Sequence, residues 1–169
     1  MLKRALIVSA LGVSLSFMSG ILPQNEWGDV QAVAEAKTQP QDIALGGIQL
    51  GANMERVRSI YGEPDHKTQS PNNGPFGRVI TWTYGSSFKI EFDGDSHTVI
   101  GAETTANNGI KLPSGIGVGD NINAAKWHYD SMKQSAKNQY RFDYNWYLGV
   151  LLKTNNNGVI QSINMYMVP

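Results

Sequence analysis

The chain has 169 residues, 41% of them hydrophobic, with 14 basic and 14 acidic side chains and no cysteine. That length suits one compact domain, or two small units that share a core. Zero net charge gives no electrostatic ground for a nucleic-acid or anionic-membrane partner, and the lack of Cys excludes disulfides, thiolate metal ligands and a lipid-modified N-terminal Cys. A low share of charged residues (17%), together with 18 Gly and 7 Pro, fits a turn-rich β or α+β protein.

The start of the chain reads as an export signal. Lys3 and Arg4 form a basic stretch, residues 5–22 are apolar with small residues interspersed, and Ala34-Glu35-Ala36 is a small-x-small cleavage pattern. Residues 1–36 are therefore expected to be a signal peptide and 37–45 a linker. A membrane contact is expected only if the signal segment stays uncleaved.

The remainder divides into two similar stretches, 46–106 and 107–169. Gly47-Ile48-Gln49-Leu50-Gly51 recurs as Gly115-Ile116-Gly117-Val118-Gly119, and Met54, Val57 and Tyr61 match Ile122, Ala125 and Tyr129. Farther on, Trp82, Tyr84, Phe88, Ile90 and Phe92 match Phe142, Tyr144, Leu148, Val150 and Leu152. A tandem repeat is the expectation. In the first copy Asn53 caps a helix that Gly62 and Pro64 stop; in the second, Asp120 or Asn121 caps a helix running to about Lys137. Strands follow at 79–84, 88–92 and 98–104, then at 140–146, 147–153 and 159–168. The expected class is α+β, two tandem repeats with helices packed on antiparallel β-meanders, sharing one core or one continuous concave sheet.

Strand alternation predicts which side chains face water. Ile80, Trp82, Tyr84, Phe88, Ile90 and Phe92 share a side, as do Tyr140, Phe142, Tyr144 and Trp146, and these sets are assigned to the core. The opposite side carries Lys89, Glu91, Arg141, Asp143, Asn145 and Tyr147, a solvated sheet face able to meet a partner. Residues 63–78 form a stretch unique to the first copy, with Pro64, Pro71, Pro75 and Asn72-Asn73-Gly74. It reads as a long loop, either a plain surface insertion or a recognition rim with Phe76 as its apolar tip.

The order Gly-Ile-x-Leu-Gly, capped helix, Tyr-Gly-x-Pro, loop and paired strands ending in Val99-Ile100 resembles the BamE (SmpA/OmlA) domain and the β-lactamase-inhibitory-protein fold built from the same unit. The resemblance implies a binding module of the cell envelope rather than an enzyme. Single-copy relatives serve in outer-membrane protein assembly as lipoproteins, and tandem relatives bind β-lactamases with the concave sheet face. Without Cys this chain cannot be a lipoprotein, and no inhibitory residue is carried over.

Other chemistry finds little purchase. Gly115-x-Gly117-x-Gly119 lacks the spacing of a phosphate loop and reads as turn glycine. Asp93-Gly94-Asp95-Ser96-His97 groups two carboxylates with an imidazole but does not match a Ca²⁺ loop, and a hairpin turn explains it. His66, His97 and His128 lie near no nucleophile signature. The expectation is an exported protein, periplasmic or secreted, that binds an envelope or extracellular protein without catalysis, cofactor or metal. The alternatives are an inhibitor of an extracytoplasmic enzyme such as a β-lactamase, a small-ligand-binding protein, and an exported hydrolase.

Overall fold

Two short helices and ten strands are built from these patterns in the computed structural model, which describes residues 40–71 and 74–168. The expected signal segment, residues 1–36, lies outside the described residues. A 3₁₀ turn at Pro40–Asp42 leads into the hairpin of β1 (Ala44–Leu45) and β2 (Ile48–Gln49). Gly46 and Gly47 supply its turn at φ of 60° and 78°, a conformation that only glycine adopts without strain. Helix α1 (Met54–Tyr61) starts where Asn53 Oδ1 accepts the Arg56 amide at 2.8 Å and stops at Gly62.

The remaining strands of the first stretch are β3 (His66–Gln69), β4 (Val79–Tyr84), β5 (Phe88–Asp93) and β6 (Val99–Thr104). After α2 (Ile122–His128) come β7 (Lys133–Ala136), β8 (Gln139–Asp143), β9 (Leu148–Thr154) and β10 (Ile160–Met167). Strands β3 to β10 form a single eight-stranded sheet in the order 3-4-5-6-10-9-8-7, every pairing antiparallel. The pairing of β6 with β10 joins the early strands to the late ones.

This corrects the expected class. The described chain is mostly β, with only two short helices on one large eight-stranded sheet, and not two helix-on-meander repeats. The physical reason lies in size: a unit of ~60 residues is only marginally stable alone, and a shared sheet removes two exposed edges at once. The second helix is also shorter than expected. It ends at His128, Tyr129 caps it, and the chain from Lys133 turns into an edge strand. Likewise the stretch 63–78 is not all loop, because His66–Gln69 pairs with Gln69 opposite Ile80 through His66 opposite Thr83.

One face of the sheet is covered by the helices and the small hairpin. Phe88, Ile90, Phe92, Phe142, Val150, Leu152, Ile163 and Met165 are buried there with Leu45, Ile48, Val57, Ile122 and Ala125. Aromatic contacts fasten each helix to the sheet. Tyr61 lies 5.1 Å from Phe88 and 5.3 Å from Tyr84, and Tyr129 stacks on Phe142 at 3.9 Å. Trp82 is buried, with Arg58 and Lys67 over its ring at 5.3 and 5.2 Å, and Glu63 pairs with both cations. The opposite face carries the alternate residues and no helix of the described residues.

Candidate functional site: the open face of the sheet

Because side chains alternate along a strand, the pairing register assigns the open face residue by residue. Thr81 stands opposite Glu91, Glu91 opposite Gly101, and Lys89 opposite Glu103; Glu103 then stands opposite Asn164 and Gly101 opposite Tyr166. On the far side Tyr166 meets Gly149, which meets Asp143, and Asn164 meets Leu151, which meets Arg141. The register slips between Glu91 and Phe92, leaving Ile100 as the extra residue of a bulge. That slip sets Ile100 at the edge of a groove on the open face.

The groove has a volume of about 320 Å³. Phe76, Val79, Ile100 and Met167 supply apolar surface, while Glu91, Asn164 and Tyr166 bring polar groups. Gly101 forms part of its lining, and the Glu91 carboxylate lies 3.2 Å from where a Cβ on Gly101 would be. A smaller depression of about 40 Å³ continues from it, shared by Lys89, Glu91, Glu103 and Asn164. Neither the Glu91 nor the Glu103 carboxylate has an ion pair or hydrogen bond among the described residues. Burial and the neighbouring Glu103 raise the Glu91 carboxyl above its ordinary value, with Lys89 opposing them.

A second polar cluster lies farther across the sheet. Arg141 Nε pairs with Asp143 Oδ2 at 2.9 Å, and the Tyr166 hydroxyl donates to Asp143 Oδ1 at 3.0 Å. Tyr166 reaches Asp143 from β10 by crossing β9 at Gly149, where a Cβ would meet Asp143 Oδ1 and would lie 2.8 Å from the Tyr166 hydroxyl oxygen. Burial, then the bond to Asp143, pushes the Tyr166 phenol up to about 12. Tyr166 also lines the groove that holds Glu91, so this one side chain connects the two clusters.

The loop beside the groove is held at its base. Ser70 Oγ accepts the Val79 amide at 2.9 Å, and Arg78 Nη2 donates to the Gly94 carbonyl at 2.9 Å and pairs with Asp95 at 3.3 Å. Phe76 is therefore half-buried against the sheet face rather than a free apolar tip.

The remaining expected site residues divide by location. Lys89, Glu91, Arg141 and Asp143 stand on the open face as alternation predicts. Asn145 and Tyr147 lie instead in the turn between β8 and β9. Asn145 Oδ1 accepts the amides of Tyr147 and Leu148 at 3.1 and 2.8 Å, and the Tyr147 carbonyl accepts the Val168 amide at 2.7 Å. That turn also removes Tyr144 and Trp146 from the core to which alternation assigned them. Trp146 is 82% exposed and packs edge-on against Tyr147 at 5.0 Å. Asn164, Tyr166 and Ser70 were missed, since only the pairing of β6 with β10 and the fold of the loop bring them to the groove, and Glu103 was missed because the bulge at Ile100 turns it to the open face. Gly101 within an apolar strand pattern was the one available signal.

Groups considered for catalysis or metal binding sit apart. His66 is on β3, His97 in the β5–β6 turn and His128 at the end of α2. Asp93 Oδ1 accepts the amides of Asp95 and Ser96 at 3.0 and 2.6 Å, bonds that lower its carboxyl pKa and shape the turn. Among the described residues no three His, Asp or Glu side chains converge as a metal site would require. A larger depression of about 460 Å³ lies beside β1, β2 and α1, lined by Arg56 and Lys111 among others and by no residue of the large sheet.

Comparison with known proteins places the fold. No protein-family model and no curated protein matches the sequence. An extracellular protein containing a SCP domain from Bacillus anthracis str. Ames is similar in structure, with a TM-score of 0.53 at 11% identity over 70% of this chain and 44% of that one. A cysteine-rich secretory protein from Staphylococcus aureus subsp. aureus Mu50 matches with a TM-score of 0.49 at 8% identity, over 76% of this chain and 46% of that one. The chain thus spans less than half the length of either solved protein. The likeness to the extracellular SCP-domain protein, a different fold, corrects the expected resemblance to the BamE and β-lactamase-inhibitory-protein group. The glycine motifs that suggested it are turn residues at positive φ, as at Gly47, Gly51, Gly115 and Gly119, a demand that many folds make. The likeness to the extracellular SCP-domain protein is one of fold.

Proposed function

We propose that this chain is an exported, non-catalytic protein-binding module that meets its partner with the open sheet face. The observation that carries the reading is the groove between Phe76 and Tyr166. It sets apolar walls beside the Glu91 carboxylate, with Glu103 in the adjoining depression, on a face that no helix of the described residues covers. Carboxylates free of ion pairs beside accessible apolar surface are available to a partner. Export is supported by the basic-then-apolar start of the chain and by the extracellular and secretory descriptions of the two similar solved proteins. The product is periplasmic or secreted. Inhibition of a β-lactamase rested on the corrected resemblance and loses its support with it.

The test is affinity capture from the organism's own envelope and culture fluid. Wild type is compared with a Lys89→Ala/Glu91→Ala/Arg141→Ala variant shown to be folded by its denaturation curve. The reading expects a protein held by wild type and lost by the variant. Equal capture by both would remove the open face from the account.

A further inference from the structure

The charges around the groove are not balanced. Lys89 serves two carboxylates, Glu91 and Glu103, and forms an ion pair with neither. The two acids sit diagonally on neighbouring strands, which places their backbones ~7–8 Å apart and leaves both side chains facing one trough. Two carboxylates over one trough with a single lysine between them leave a net negative charge, which a cation on a partner would complement. The walls narrow the choice of cation. Phe76 and Tyr166 present ring surface and Ile100 and Met167 present aliphatic surface, next to the Glu91 carboxylate. A compact, strongly hydrated ammonium is poorly matched to such a lining. A guanidinium is flat, weakly hydrated, stacks on rings and can offer two parallel N–H donors to one carboxylate. A bare divalent ion would want a third oxygen ligand, and no such group of acids exists among the described residues.

Building on the reading that the open face binds a protein, we propose that the groove receives an arginine side chain of that partner, its guanidinium on Glu91 with Glu103 as second acceptor and its stem against Phe76. The recognition is therefore of an arginine-bearing surface segment, and its strength falls with salt.

The test uses a defined probe. The ¹⁵N-labelled chain is titrated with the capped tripeptide acetyl-Gly-Arg-Gly-amide, with its citrulline analogue (the same shape without the charge), and with the lysine analogue. The expected result is saturable shifts of the Glu91, Gly101, Glu103 and Asn164 amides with the arginine peptide. Binding should be at least tenfold weaker for the other two. The Glu91→Gln and Glu103→Gln variants, each retaining the wild-type pattern of dispersed amide signals, should weaken the arginine peptide by a similar factor. Equal shifts with citrulline or lysine, shifts elsewhere on the chain, or no shifts would each overturn the arginine assignment. If the peptide fails while protein capture still depends on Lys89, Glu91 and Arg141, the binding face stands and only its ligand was misread. If both fail, the face itself is wrong.

Discussion

Replacing Gly149 by alanine tests whether Tyr166 is locked across the sheet. A Cβ at this position would meet Asp143 Oδ1 and would sit 2.8 and 2.9 Å from the Tyr166 hydroxyl oxygen and its ring carbon. Real Cβ atoms do not tolerate such approaches, so Tyr166, Asp143 or β9 must move. Overpacking of this kind costs about 1–3 kcal/mol. Loss of the Tyr166–Asp143 hydrogen bond adds about 1 kcal/mol, and no more, because Asp143 keeps Arg141 at 2.9 Å. Alanine returns about 0.5–1 kcal/mol through its lower unfolded-state entropy. The net expectation is a destabilisation of about 1–3 kcal/mol, read as a lower urea midpoint with an unchanged slope. The same variant should shift the ultraviolet titration of one tyrosine from about 12 toward its ordinary value of 10.0. Gly101→Ala is the matched control. Its Cβ meets the flexible end of Glu91 at 3.2 Å and a backbone oxygen at 3.4 Å, so stability should stay within about 0.5 kcal/mol of wild type. A Gly149→Ala variant as stable as wild type would refute the claim that Tyr166 spans β9.

Further predictions concern the core, the tyrosines and the groove. Phe142→Ala should cost about 3–5 kcal/mol in urea denaturation because Phe142 is fully buried under Tyr129, whereas Trp146→Ala, at 82% exposure, should change stability by less than about 0.5 kcal/mol. Tyr84 and Tyr166 are both pushed up to about 12, chiefly by burial, and Tyr61 and Tyr129 are raised as well. Since folding favours their neutral forms, this stabilisation is complete below pH 10 and is lost as pH rises from there through 12. Circular dichroism against pH should therefore show unfolding in that window, and a chain still folded well above pH 12 would contradict it. Glu91, whose carboxyl is raised by folding, opposes stability once ionised. Glu91→Gln should accordingly raise the urea midpoint slightly at pH 7 and lose that advantage below pH 4.5.

Alternation made the two faces of the sheet legible wherever a strand was flanked by apolar residues. Trp82, Phe88, Ile90, Phe92, Phe142, Val150 and Leu152 are buried as their parity requires, and Lys89, Glu91, Arg141 and Asp143 face away from them. It failed at the β8–β9 turn, where the Asn145 side chain captures two amides and ends the pleat that Tyr144 and Trp146 would have continued. The edge strands were invisible for a different reason. His66–Gln69 and Lys133–Ala136 are exposed throughout and carry no apolar alternation, a composition that protects an edge from unwanted pairing. The groove was half legible. Glu91 and Phe76 could be nominated from parity and from the long loop. Glu103 reaches the open face through the register slip at Ile100 between β5 and β6, and Asn164 and Tyr166 depend on the pairing of β6 with β10, a long-range contact that local pattern does not encode. The shared glycine-and-helix motif pointed to the wrong family because it reports the needs of turns and caps.

The central claim is that the partner sits on the open sheet face, and hydrogen–deuterium exchange of the chain with and without its captured partner tests it most directly. The account predicts new protection in residues 76–81, 88–93, 99–104 and 160–167, with α1 and α2 unchanged. Protection confined to the helices and the β1–β2 hairpin, with those strands unaffected, would contradict it.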